Sequence, residues 1–76
     1  MEWLTERERG VLVQLMQGYT AEQIATAEFV TIATVRSHIR QILLKLGVNS
    51  QIAAVAYAYR VALIDEYSEV LTKIAI

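Results

Sequence analysis

Two arginines near the middle of the chain have the type and spacing best suited to binding an anionic partner. Arg36 and Arg40 are four residues apart, so on a helix one lies a turn above the other. No aspartate or glutamate occurs between Phe29 and Ile64 to neutralise them. A guanidinium group forms two hydrogen bonds with a guanine edge or contacts a phosphate oxygen. The pattern therefore favours recognition of nucleic acid.

A single helix between Thr31 and Gly47 is predicted to position both arginines. The Thr31 hydroxyl can accept a hydrogen bond at the start of this helix, and Gly47 suits the left-handed residue that closes it. One side of the helix is apolar and faces a core; its members are Val35, Ile39, Ile42 and Leu46. The other side presents Ala33, Arg36, Ser37, Arg40 and Leu44.

The remaining segments also predict helices. Thr5 to Glu8 and Thr20 to Gln23 each fit a capping box, in which two side chains satisfy the first backbone N–H groups of a helix. The second box opens a short helix that continues to about Ala27. A fourth helix begins after Asn49 or Ser50. The sequence shows no strand pattern, so the predicted fold is all-α.

Composition and charge exclude several classes of protein. The chain has 76 residues, no cysteine and one histidine, so disulfides and thiolate metal sites are excluded. His38 has no partner for catalysis, and we predict neither an enzyme, a metal site, a cofactor nor a small-molecule ligand. The apolar run from Ile52 to Tyr59 is far shorter than the roughly 20 residues of a membrane span. We expect a soluble cytoplasmic domain without a signal peptide. The net charge of −1, taken alone, argues against nucleic acid as a partner.

The acidic residues are segregated from the basic centre. Five glutamates precede Phe29, and Asp65, Glu66 and Glu69 follow Ile64. The local potential therefore favours an anionic partner more than the net charge does. Two short helices joined by a tight turn, the second with exposed arginines, describe a helix-turn-helix.

An ordered series of motifs resembles the LuxR-type (GerE-like) helix-turn-helix domain of bacterial transcription regulators. The series is Leu4-Thr5-Glu6-Arg7-Glu8, Val11-Leu12, Gly18-Tyr19-Thr20, Ile24-Ala25, Thr34-Val35-Arg36-Ser37-His38-Ile39, Lys45-Leu46-Gly47-Val48 and Ala54-Val55. The resemblance implies a four-helix domain over residues 1–64. It also implies a scaffold helix at about 21–28, a recognition helix at about 32–46 and dimerisation through the fourth helix.

The resemblance also assigns contacts to individual residues. Arg36, Ser37 and Arg40 match positions that read bases in the major groove. The positions near the phosphate backbone are Thr20, Thr34, Lys45 and Ser50. Two departures remove positive charge: Glu22 stands where the family usually has lysine, and Gln51 where it usually has arginine.

Two further departures concern packing. Glu28 stands where a buried leucine is usual, and we expect Phe29 to supply that apolar contact through a shifted turn. Ala62 replaces the glycine that usually ends the last helix.

Residues 65–76 form a separate extension, either a continuation of the fourth helix or a short fifth helix that starts at Asp65. An apolar stripe at helical spacing predicts a homodimer contact; it consists of Ile64, Tyr67, Leu71 and Ile74. The predicted contact continues roughly from Tyr57 and Arg60. The alternative is that the extension folds back over its own domain.

The leading functional hypothesis is sequence-specific binding of double-stranded DNA by a bacterial transcription regulator or its effector domain. The alternative is an interaction and dimerisation module with the same fold and weak or no DNA binding. The two hypotheses differ in whether the side chains of Arg36 and Arg40 are free on the surface, or are instead buried in a partner or paired with Glu22 or Glu28.

Overall fold

The computed structural model describes residues 3–62, which form four helices and no strand. They are α1 (Glu6–Met16), α2 (Ala21–Glu28), α3 (Ile32–Leu46) and α4 (residues 51–62). The prediction of an all-α fold is confirmed. The extension at 65–76, together with the choice between a continued and a fifth helix, lies outside the described residues.

Both predicted capping boxes are present. The Glu8 N–H donates to the Thr5 hydroxyl at 3.1 Å, and the Thr5 N–H donates to the Glu8 carboxylate at 2.9 Å. Thr20 and Gln23 repeat this pair of hydrogen bonds at the start of α2. These side chains satisfy backbone groups that have no partner within their own helix.

The ends of α3 also agree with the sequence pattern. The Thr34 N–H donates to the Thr31 hydroxyl at 3.1 Å, and Gly47 adopts the left-handed conformation with φ 69°. The next helix is capped by Ser50, whose hydroxyl accepts from the Ala53 N–H at 3.1 Å. Of the two candidate caps for α4, the structure selects Ser50.

The back of α3, which is its apolar side formed by Val35, Ile39, Ile42 and Leu46, lies against the centre of the core. Ile42 is completely buried and Val35 almost so, and Leu46 packs partly buried against the same cluster. The other helices close this core with their own apolar side chains, namely Val11, Leu12 and Leu15 of α1, Ile24 and Ala25 of α2, and Ala54 and Ala58 of α4. This burial fixes the orientation of α3 and leaves its other face exposed.

The turn between α2 and α3 differs from expectation. Phe29 has φ 57° and is 96% exposed, so the prediction that it supplies an apolar core contact is wrong. The left-handed backbone at Phe29 ends α2 and carries its ring outward. The next residue, Val30, donates its N–H to the Ala25 carbonyl at 3.1 Å and packs against the core instead.

No helix among residues 3–62 has the length and hydropathy needed to cross a membrane.

Candidate nucleic-acid interface

The front of α3 presents the three residues predicted to read bases. Arg36, Ser37 and Arg40 are all exposed, on the side of the helix opposite the buried stripe. Within residues 3–62, no hydrogen bond or ion pair engages the side chain of Arg36 or Arg40. Because both guanidinium groups keep all their donors, this face can receive a base edge or a phosphate.

The acidic residues of α2 leave these arginines unpaired. Glu28 accepts a hydrogen bond from the Gln14 side-chain amide of α1 at 2.8 Å. Glu22 is exposed in the first turn of α2 and makes no ion pair with another described residue. One of the arrangements that would favour the alternative hypothesis, with Arg36 or Arg40 bound to Glu22 or Glu28, is therefore not present in this part of the chain.

Three of the predicted backbone contacts are hydroxyl groups at or near helix N-termini. Thr20 and Ser50 are the caps of α2 and α4, and Thr34 lies in the first turn of α3. As a cap, each of the first two hydroxyls accepts from a backbone N–H and keeps its own proton for donation. The Thr34 hydroxyl is 2.9 Å from that of Thr31, and either of the two can be the donor.

Lys45, the fourth predicted backbone contact, forms an ion pair that the sequence did not predict. Its ammonium group donates to the Glu8 carboxylate of α1 at 2.7 Å. The Glu8 side chain is 7% exposed and that of Lys45 33%. The hydrogen bond from Lys45, followed by that from the Thr5 N–H, lowers the pKa of Glu8 below its usual value. Two ammonium donors of Lys45 remain for another partner.

His38 lies beside a small cavity rather than on the exposed face. Its Nε2 atom is buried and has no hydrogen-bond partner among the described residues. The cavity has a volume of about 100 Å³ and lies between the first three helices; its lining is Arg7, Val11, Ile24, Glu28, Val30, Val35 and His38. Residues 3–62 contain no group of three or more histidine, aspartate or glutamate residues able to hold a metal ion.

The described part of the proposed dimer surface belongs to α4. The Arg60 guanidinium carbon lies 5.7 Å from the centre of the Tyr57 ring, within cation–π distance. The neighbouring Tyr59 hydroxyl donates to the Met16 carbonyl and ties α4 to the end of α1. The other predicted dimer residues, Ile64, Tyr67, Leu71 and Ile74, lie outside the described residues.

Comparison with known proteins gives concordant results. Residues 2–58 match the family model described as bacterial regulatory proteins, luxR family. The response regulator protein VraR of Staphylococcus aureus (strain Mu3) is 44% identical over 64 residues, which are 84% of this chain and 31% of that protein. VraR of Staphylococcus saprophyticus shows the same identity and coverage.

A solved structure is similar as well. The crystal structure of the response regulator ChrA, from a heme-sensing two-component system, superposes with a TM-score of 0.73 at 38% identity. The match covers 79% of this chain and 30% of that chain, so this chain spans less than a third of the relatives it matches. Because the family model covers most of the chain, the chain belongs to the luxR family of bacterial regulatory proteins and corresponds to its helix-turn-helix DNA-binding domain.

Proposed function

We propose that this domain binds double-stranded DNA sequence-specifically, with α3 in the major groove. The observation that carries the proposal is that Arg36 and Arg40 are exposed and unpaired among the described residues, on a helix whose opposite face is buried. A major groove is wide enough for one helix, and arginine pairs with the guanine edge through two hydrogen bonds. Arg36, Ser37 and Arg40 are the proposed base contacts.

Positioning on the phosphate backbone is assigned to Thr20, Thr34, Lys45 and Ser50. The three hydroxyls are suited to donate to phosphate oxygens, and helix N-termini favour anions. Lys45 contributes hydrogen-bond donors, since an ammonium already paired with Glu8 can still donate to a phosphate.

We further propose that two copies act together as a homodimer. The proposed contact uses Tyr57 and Arg60 of α4 and continues through Ile64, Tyr67, Leu71 and Ile74. Ile52, at the start of α4, is 84% exposed, which supports a partner surface along this helix. A dimer would place two recognition helices on two half-sites about one DNA turn apart.

The proposed activity is binding, without catalysis, in the bacterial cytoplasm and on the nucleoid when DNA is bound. Membership of a family of bacterial regulatory proteins supports this assignment. The relatives are response regulators of which this chain matches about a third, so the domain acts either alone or as the effector end of a longer regulator.

Fluorescence anisotropy with a labelled random-sequence duplex tests the proposal. We expect a non-specific Kd of about 10⁻⁴–10⁻⁶ M at physiological salt, tightening steeply as salt is lowered. Arg36→Ala and Arg40→Ala should each weaken binding and make the salt dependence shallower by about one unit of slope.

Arg7→Ala is the matched control, since it removes one exposed positive charge from α1 rather than from α3. It should change the affinity much less. If Arg7→Ala weakens binding as much as the α3 variants do, or if no protein binds even at low salt, α3 is not presented to DNA.

A further inference from the structure

The last turn of α3 carries a large exposed apolar side chain that the fold does not require. Leu44 is 69% exposed, whereas Ile39 and Ile42 on the back of the helix are buried. In the same turn, Leu43 and Leu46 already pack against the core. Packing therefore gives no reason for a leucine at position 44.

Leu44 continues the row formed by the two arginines. Arg36, Arg40 and Leu44 follow one another at intervals of four residues, so they lie along one side of α3. At about 1.5 Å per residue, Leu44 is about 6 Å beyond Arg40 and about 12 Å beyond Arg36 along the helix axis. The longer distance corresponds to about three to four base pairs at about 3.4 Å each.

The last turn of α3 holds Leu44 in place. Its neighbour Lys45 is anchored to the nearly buried Glu8 carboxylate at 2.7 Å, and Gly47 closes the helix with φ 69°. The ion pair draws Lys45 toward α1, while the side chain of Leu44 stays on the exposed side. An apolar group is therefore presented on an ordered helical turn, next to the arginines.

The chemistry of the major groove offers one partner for such a group. A leucine side chain cannot form hydrogen bonds, and the apolar feature that bases display in this groove is the 5-methyl group of thymine. We infer that Leu44 is a specificity-determining residue that contacts a thymine methyl group within about four base pairs of the base bound by Arg36. The inference rests on the proposed function and adds a base preference to it.

Replacing thymine by uracil in a bound duplex tests the inference directly, because deoxyuridine pairs like thymidine and lacks only the methyl group. A high-affinity duplex is first selected from random sequences with the wild-type chain. Each thymidine is then replaced singly, and Kd is measured by anisotropy for the wild type, Leu44→Ser and Leu44→Met. Val13→Ser, which removes an exposed apolar side chain from α1, is the control.

At one or two positions we expect the wild type and Val13→Ser to lose about fourfold in affinity on removal of the methyl group. Leu44→Ser should bind the thymidine and deoxyuridine duplexes equally, and Leu44→Met should retain most of the difference. Circular dichroism should show unchanged helix content for Leu44→Ser, because the side chain is exposed.

Two outcomes overturn the inference and leave the proposed function intact. One is a loss on methyl removal that is the same in Leu44→Ser as in the wild type. The other is that no thymidine position is sensitive although Arg36→Ala still weakens binding. A wild-type chain that binds no duplex at all would overturn the inference and the proposed function together.

Discussion

Glu22 carries a negative charge that is expected to repel the proposed ligand, DNA. It is exposed in the first turn of α2 and forms no ion pair with another described residue. Glu22→Lys should therefore tighten binding to a random-sequence duplex and steepen its salt dependence by about one unit of slope. Titrations at several salt concentrations measure both quantities.

Glu22→Gln separates the removal of repulsion from the gain of a new contact. It should raise affinity by less than Glu22→Lys and leave the salt slope nearly unchanged. Identical affinities for all three proteins would show that the first turn of α2 lies away from the DNA backbone.

Phe29 carries backbone strain that its side chain does not offset. A non-glycine residue in the left-handed region costs about 1–2 kcal/mol, and the 96% exposed ring makes little contact that could compensate. Glycine relieves the strain but adds freedom to the unfolded chain. We expect Phe29→Gly to raise the free energy of unfolding by about 0.5–1 kcal/mol in urea titrations.

Phe29→Ala is the appropriate control, because alanine removes the ring and keeps the Cβ atom that causes the strain. Its stability should stay within about 0.5 kcal/mol of the wild type. If Phe29→Ala stabilises the protein as much as Phe29→Gly does, the ring rather than the backbone is responsible.

At the scale of the helices, the ion pair between Glu8 and Lys45 joins α1 to α3 within residues 3–62. Glu8→Gln keeps an oxygen that can accept from the Thr5 N–H and removes the charge that holds Lys45. We expect a loss of about 1.5–3 kcal/mol in the free energy of unfolding at neutral pH, the range for hydrogen bonds to charged groups. Glu6→Gln, an exposed substitution in the same helical turn, should be nearly neutral.

The same pair predicts a pH dependence. The pKa of Glu8 is lower in the folded chain than its ordinary value near 4.5. Stability from this group is therefore fully present above that ordinary value and is lost as pH falls through the lower folded pKa. The difference in urea midpoint between wild type and Glu8→Gln should shrink steadily below about pH 4.5. A difference that stays constant down to pH 2–3 would show that the charge of Glu8 is not what stabilises the fold.

Sequence-based prediction succeeded for interactions between neighbouring residues. The capping boxes join residues three positions apart, so composition and spacing alone predict the starts of α1 and α2. The Glu8–Lys45 pair joins residues 37 positions apart, and it depends on how α1 packs against α3. No local sequence pattern relates residues that are so far apart in the chain, so spacing alone does not predict this ion pair.

The turn before α3 shows a second limit. Phe29 and Val30 are adjacent apolar residues, so residue type alone does not show which of the two side chains packs against the core. The backbone at position 29 decides between them, since its left-handed conformation turns Phe29 outward and Val30 inward. Exposure of Arg36 and Arg40 was predicted because periodicity defines the opposite, buried face. What each arginine contacts depends on the DNA sequence and shape, which the chain alone does not contain.

For the whole molecule, self-association is the property on which the proposed regulator function depends. One domain offers one recognition helix, whereas a dimer doubles the contacts and sets their distance. Sedimentation at micromolar concentration should detect a dimer of the full 76-residue chain. A Tyr57→Ala/Arg60→Ala variant, which removes the cation–π pair on α4, should shift the equilibrium toward monomer. A strictly monomeric wild type, alone and on DNA, would contradict the dimer.

The spacing of half-sites gives the sharpest test at this scale, because it depends on the geometry of the pair and not on any one contact. Two copies of the selected half-site, placed as an inverted repeat about 10 base pairs apart, present the same face of the duplex to both recognition helices. A separation of about 15 base pairs turns the second half-site to the opposite face. We expect cooperative, tighter binding at the first spacing. At the second, affinity should fall to that of a duplex with a single half-site. Equal affinity at both spacings would mean that each domain binds independently and that α4 does not couple them.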